Sequence, residues 1–220
     1  RPAAIVTFLD GLSVRRPTAT HCQELGRGLA LLHQAGADFG MERVNVLSVP
    51  GWRPLAEQAG AAADTVSAGL AGRVAAEIAV HEASWPQGLP RGVIHADLFP
   101  NNVFFLQNRL SGLIDFYFAC TDVLVYDLAI CLNAWCFEPD GELNPARWSA
   151  MMSAYRARRE LNAAERAAWP LVLRAAALRF YLSRLHDWVF PRGGDMVHVK
   201  DPEQYGRILR HHREVAPPGW

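Results

Sequence analysis

Lysine is all but absent: of 22 basic residues, only Lys200 is not an arginine. No GxxxxGK[ST] and no GxGxxG occurs, which excludes a P-loop and a glycine-rich dinucleotide turn. Net charge is absent too, with 22 basic residues against 22 acidic ones. That balance removes the electrostatic case for a nucleic-acid or membrane-surface protein. Long hydrophobic runs are missing, so nothing in the chain is apolar for long enough to span a bilayer. Cysteine is scarce and unpatterned: Cys22, Cys120, Cys131 and Cys136 form no CxxC, and each stands in apolar sequence. They read as buried, reduced thiols, which fits a reducing, cytoplasmic setting. What is present is 220 residues, 50% of them hydrophobic, enough for one ordinary domain or two small ones with a real core.

Hydrophobic periodicity predicts a mostly helical α+β chain. Residues 3–9 are β-branched and apolar and stop at Asp10-Gly11, as a strand before a turn does. Residues 20–35 repeat apolar side chains at helical spacing up to Gly36. Residues 39–54 read as a turn-rich connector, and 55–84 as an alanine-rich helix broken at Gly60, Gly69 and Gly72. Residues 93–95 form a short strand. A β-hairpin follows, with strands at 103–106 and 113–116 and a turn at 107–109. Four helices are predicted after it, over 124–137, 145–159, 163–189 and 202–213, the third of them divided at Pro170.

The polar chemistry gathers at the hairpin. His95-Ala96-Asp97-Leu98-Phe99-Pro100-Asn101-Asn102 leaves one strand, turns, and enters the next, and Ile114-Asp115-Phe116 closes the partner strand. Antiparallel pairing sets the start of one strand beside the end of the other, so Asp97, Asn102 and Asp115 can converge. Oxygen ligands of this kind suit Mg²⁺, and Asp97 beside them can accept a proton from an attacking hydroxyl. Taken singly, each is an ordinary turn former; HxDxxxxN followed by an apolar-IDF strand end tips the reading to function.

HADLFPNN, LIDFYFA and YDLA together resemble the aminoglycoside phosphotransferase and choline kinase-like group, which has the protein-kinase fold. The resemblance covers essentially the whole chain. It implies ATP and Mg²⁺ as cofactors, Asp97 as the residue that orients or deprotonates the acceptor hydroxyl, and Asn102 and Asp115 as metal ligands. It makes His95 and Asp127 structural supports. Phe8-Leu9-Asp10-Gly11 matches the group's nucleotide-binding hinge. Within the group, VIHADLF, LSGLIDFYFACTD, ICLNAWCFE and LRFYLSRLHDW are most similar to bacterial homoserine kinases. That implies phosphoryl transfer to the hydroxyl of L-homoserine, a step of threonine biosynthesis, with a small-molecule amino acid as partner and neither nucleic acid nor membrane.

One departure is large. A kinase of this fold carries a small N-terminal lobe with a phosphate-covering loop and a strand lysine, and neither is in this sequence. The expectation is therefore a C-terminal lobe only, residues 1–12 being hinge strand and linker and 13–220 the lobe, inactive by itself. A zwitterionic acceptor needs a cation for its carboxylate and an acceptor for its ammonium. Arg179, Arg184 and Asp187 on one predicted helix supply both, with Asn133 and Tyr117 as further pocket candidates. Between positions 147 and 187 stand eight arginines and three acids, a poor host for a polycationic aminoglycoside. His211-His212 reads as surface. Three other readings stay open on these residues: a kinase of the group for another acceptor, a non-catalytic pseudokinase-like module, and a metal hydrolase using His95, Asp97 and Asp115.

Overall fold

The computed structural model describes residues 7–191 and 200–219. Residues 3–6 of the predicted first strand lie outside them. Residues 7–10 are not strand, and the chain first pairs at Leu12, which exchanges two 3.0 Å backbone hydrogen bonds with Phe105. Leu9 packs over Gly112 and Ser111 Oγ donates to Asp10 O at 2.6 Å, so this N-terminal segment lies along the hairpin.

Two helices form the centre. α4 (Leu124–Trp135) is buried on almost every side, and α6 (Ala163–Val189) is buried throughout residues 175–182. α6 packs on α4, on α7 (Glu203–Glu214) and on α2 (Val49–Ala59). α1 (Ala19–Ala35) packs on α5 (Pro145–Arg156), closely enough that a Cβ on Gly26 would stand 2.4 Å from Met151 O. α3 (Leu70–Ser84) completes the helical layer. Two antiparallel pairs of short strands sit to one side: β1 (Arg91–Ile94) with β4 (Cys120–Val123), and β2 (Val103–Leu106) with β3 (Arg109–Leu113).

Three expectations are corrected. Pro170 does not divide α6. The reciprocal Asn162–Glu165 capping box starts the helix firmly, and buried Trp169, Val172 and Leu173 hold it on both sides of the proline. Helix α2 begins at Val49 within the predicted connector, because Pro50 falls in its first turn, where a missing N–H costs nothing, and Pro54 is carried inside. The hairpin ends three residues early: Val103 pairs with Leu113, Asp115 takes a left-handed conformation (φ 64°), and residues 116–118 make a 3-10 turn. Strand β4 was not predicted, since Cys-Thr-Asp-Val carries no alternation of its own.

Candidate active site

The site is built around Asp127, near the start of α4 and fully buried. Its Oδ2 accepts from the His95 N–H at 2.8 Å and its Oδ1 from the Ala96 N–H at 2.9 Å. His33 Nε2 lies 3.2 Å from Oδ2, and His33 Nδ1 lies 2.8 Å from Tyr155 Oη. Burial alone would raise the Asp127 pKa, but the His33 contact, with His95 and its backbone donor, holds it below the usual range. The carboxylate thus clamps the chain where it leaves β1. Ala96 there has φ 62° and is buried, a conformation that costs an L-residue about 1–2 kcal/mol.

His95 carries the clamp onward. The Asp97 N–H donates to His95 Nδ1 at 3.3 Å, so the ring proton is on Nε2, which donates to Ile114 O at 3.0 Å. One imidazole thereby ties the Asp97 backbone to the residue before Asp115. Trp135 Nε1 holds the other side of the loop by donating to Leu98 O at 2.7 Å.

Asp97, Asn102 and Asp115 come together on this frame. Asn102, buried, donates through Nδ2 to Asp97 O at 2.7 Å and to Asp97 Oδ2 at 3.2 Å, while its Oδ1 accepts from Asn101. The Ile114 N–H donates to Asn102 O at 3.0 Å, which brings Asp115 alongside. The Asp97 pKa is raised, chiefly by burial and also by the charge of Asp115, against Arg179, His95 and Lys200. Arg179 enters from α6, its Nη1 at 3.7 Å from Asp97 Oδ1, and it is only 4% exposed. A buried cation facing a half-buried carboxylate is a costly arrangement, which marks both as functional candidates.

The other candidates are spread out. Phe8 is fully in solvent beside the hairpin edge, Leu9 is covered by Gly112, and Asp10 contributes its carbonyl to Ser111. Tyr117 is exposed on the turn after Asp115, and its carbonyl accepts from Arg43 Nη1 at 2.7 Å. Arg184 turns to α7, donating to Gln204 Oε1 at 2.7 Å and to Asp201 O at 3.1 Å. Asp187 lies about 12 Å farther along the α6 axis than Arg179, 3.8 Å from His186. Asn133 is interior, with Nδ2 on Leu173 O at 3.1 Å and Oδ1 2.7 Å from His212 Nε2. Both ends of its amide are spent on packing α4 to its neighbours. His212 is accordingly not a surface residue; burial pushes its pKa down to about 3. The arginine surplus is largely consumed in structural pairs, Arg147 with Glu138, Arg159 with Glu165 and Arg174 with Glu77. Sequence reasoning passed over His33 and Tyr155 because their partners lie 94 and 122 positions away.

Residues 1–161 match the phosphotransferase enzyme family. The chain belongs to that family. Its chemistry is that of a small-molecule kinase. It is 63% identical over 215 residues to a homoserine kinase of Xanthobacter autotrophicus, covering 98% of this chain and 67% of that protein. It is 58% identical over 216 residues to a homoserine kinase of Azorhizobium caulinodans, with the same two coverages. The chain thus spans about two thirds of these relatives' own length. Among solved structures, the ethanolamine kinase of Plasmodium vivax superposes with TM-score 0.67 at 17% identity, over 93% of this chain and 63% of that one. Choline kinase of Cryptosporidium parvum gives 0.64 at 15% identity, over 94% and 68%. These likenesses place the chain in the protein-kinase-like fold, as its mostly helical architecture does.

Kinases of this family use ATP with a divalent metal. The donors here suit one: the exposed Asp115 carboxylate has no hydrogen bond or ion pair among the described residues, and Asn102, whose Oδ1 accepts from Asn101, ends the turn that leads into β2 beside it. Both nitrogens of His95 are already engaged, which removes it as a metal ligand and with it the hydrolase reading.

Proposed function

We propose that the complete protein transfers the terminal phosphoryl group of ATP to the side-chain hydroxyl of L-homoserine, and that residues 1–220 supply its acceptor-binding and catalytic portion. The observation that carries the reading is Asp97, a carboxylate with a raised pKa held between the amide of Asn102 and the buried guanidinium of Arg179. Asp97 accepts the proton of the acceptor hydroxyl, and its loop is too tightly braced for it to wander. Asn102 and Asp115 are the residues to hold a Mg²⁺ ion, which would offset charge on the phosphates when bound. Phe8, Leu9 and Asp10 form the edge against which the nucleotide base would lie.

The acceptor assignment rests on the relatives named above and on a site whose cations come from α6 and the segment before α7. Tyr117 stands at the mouth; Asn133 and Asp187 are left out, the first because its amide is fully engaged, the second because of its distance along α6. The test is ADP release with L-homoserine, choline, methylthioribose and kanamycin. L-homoserine is expected to give the highest kcat/KM by at least tenfold; preference for kanamycin or choline would overturn the substrate while leaving the kinase. In the same assay residues 1–220 alone are expected to turn over far more slowly than the complete protein, because positioning and charge stabilisation of the phosphates are nearly all of the catalysis. Turnover equal to the complete protein's would refute that.

Asp115→Ala is expected to raise the Mg²⁺ concentration needed for half-maximal rate by about tenfold or more, the Coulomb loss of one carboxylate ligand. A magnesium titration at fixed ATP checks it; an unshifted midpoint would remove Asp115 from the metal site.

A further inference from the structure

Three aromatic rings pack together on the α6 side of Asp97, Phe180 and Tyr205 buried and Phe99 partly exposed. Phe99, Phe180 and Tyr205 lie with centroids 4.7 Å (Phe99–Phe180), 5.3 Å (Phe180–Tyr205) and 6.3 Å (Phe99–Tyr205) apart. Each ring carries one cation. The Arg179 guanidinium is 3.7 Å from the Phe180 centroid, that of Arg184 is 4.5 Å from Tyr205, and the Lys200 ammonium is 5.3 Å from Phe99. Phe99 is two residues after Asp97 on the same braced loop, so the Lys200 charge stands over the loop that carries the base. The acids here are Asp97, which Arg179 faces, and Asp201, whose carboxylate pairs with Arg207, so the three cations leave positive charge in excess.

The three are not equivalent. Arg179 is committed to Asp97, and Arg184 to Gln204 and the Asp201 carbonyl. Among the described residues Lys200 has no hydrogen bond or ion pair, and its ammonium sits over the Phe99 ring. Burial depresses its pKa, the Arg184 charge pushes the same way, and Asp97 opposes them, so Arg184 and Asp97 both act on the ammonium. A cation pressed toward other cations is relieved by a ligand anion. An ammonium is also a compact charge on a mobile stem, able to turn from a ring face to a carboxylate. The one lysine in a chain otherwise furnished with arginine stands at this spot.

We propose that Lys200 is a substrate-binding residue whose ammonium takes the α-carboxylate of the amino-acid acceptor, seating it beside the partly exposed ring of Phe99 with its hydroxyl toward Asp97. This rests on the homoserine reading and names the group that reads the carboxylate.

The experiment uses the complete protein and two ligands that share the carboxylate: L-homoserine as substrate, and L-2-aminobutyrate, which lacks only the hydroxyl, as competitive inhibitor. Lys200→Met is expected to raise both the KM for homoserine and the Ki of aminobutyrate by about 10- to 100-fold, the worth of one charge-assisted hydrogen bond. The KM for ATP should stay within about twofold, and Lys200→Arg should recover most of the loss. An unchanged Ki would overturn the proposal. So would an equal rise in the ATP KM, which would place Lys200 on the phosphate side instead. A fall in stability with unchanged constants would make it a packing residue and also refute it. Absence of homoserine turnover in the unsubstituted protein is a separate outcome that removes the substrate reading, and this proposal with it.

Discussion

Replacing Asp97 with alanine in the complete protein is expected to lower kcat by about 10²–10⁴ with little change in the KM for ATP. The magnitude is that of a lost general base. The nucleotide side is spared because Asn102 and Asp115 lie in the turns that enter and leave the hairpin, and Asn102 keeps its bond to the residue-97 carbonyl when the carboxylate is removed. The pH profile is a second, independent reading of the same residue. Only the ionised carboxylate can accept a proton, so kcat/KM for the acceptor must fall as pH drops through the Asp97 pKa. Burial, with help from Asp115, has raised that value, so the acid limb should lie above the ordinary aspartate value of about 3.9. Arg179→Met removes the largest influence that lowers it, and the limb should move further up. A limb that stays in place in that variant would mean the titration belongs to another group. An Asp97→Ala enzyme retaining more than a tenth of wild-type kcat would remove Asp97 as base.

Most of this site could be read in the sequence because its parts are close together in it. HxDxxxxN spans eight residues and a hairpin of ordinary length carries the last carboxylate back. Even with strand β3 ending at Leu113 rather than 116, the pairing of Val103 with Leu113 leaves Asn102 and Asp115 adjacent. The helices were legible for a different reason: α1, α4, α5 and α7 have strong apolar repeats or clear stops. What stayed hidden depends on contacts between distant segments. Pro170 carries a local signal to stop, and only the buried neighbours of α6 override it. Asn133 looks like a pocket amide until its partners on α6 and α7 are known. Lys200 is 101 positions from Phe99 in the chain, yet it stands over that ring. The charge count between 147 and 187 was informative in sign but not in place, since Arg147, Arg159 and Arg174 are occupied in structural pairs, whereas Arg179 and Arg184, joined by Lys200, stand on the Phe99–Phe180–Tyr205 cluster.

Asp127 is where stability and catalysis meet, and its substitution should show both. Asp127→Ala leaves the buried N–H groups of His95 and Ala96 without acceptors and His33 without its carboxylate. At about 1–3 kcal/mol for each orphaned group, with neighbouring losses not fully additive, the cost should be about 3–5 kcal/mol. The strained Ala96 conformation, which those bonds hold, would relax and take Asp97 with it. A urea titration should therefore show a lower midpoint, and kcat should fall more than KM even under conditions where the variant is folded. Asp127→Asn keeps the shape but offers one oxygen where two are needed and turns an NH₂ toward an N–H donor, so it should lie between wild type and alanine. The pH dependence separates this from a simple loss of packing. The folded pKa of Asp127 is depressed, so its contribution is fully present above the unfolded value of about 3.9 and disappears as pH falls below it and through the folded value. The wild-type protein should lose stability over that acid window more steeply than Asp127→Asn, which has no carboxylate there to protonate. Parallel acid slopes in the two proteins would show that the clamp draws nothing from the charge of Asp127.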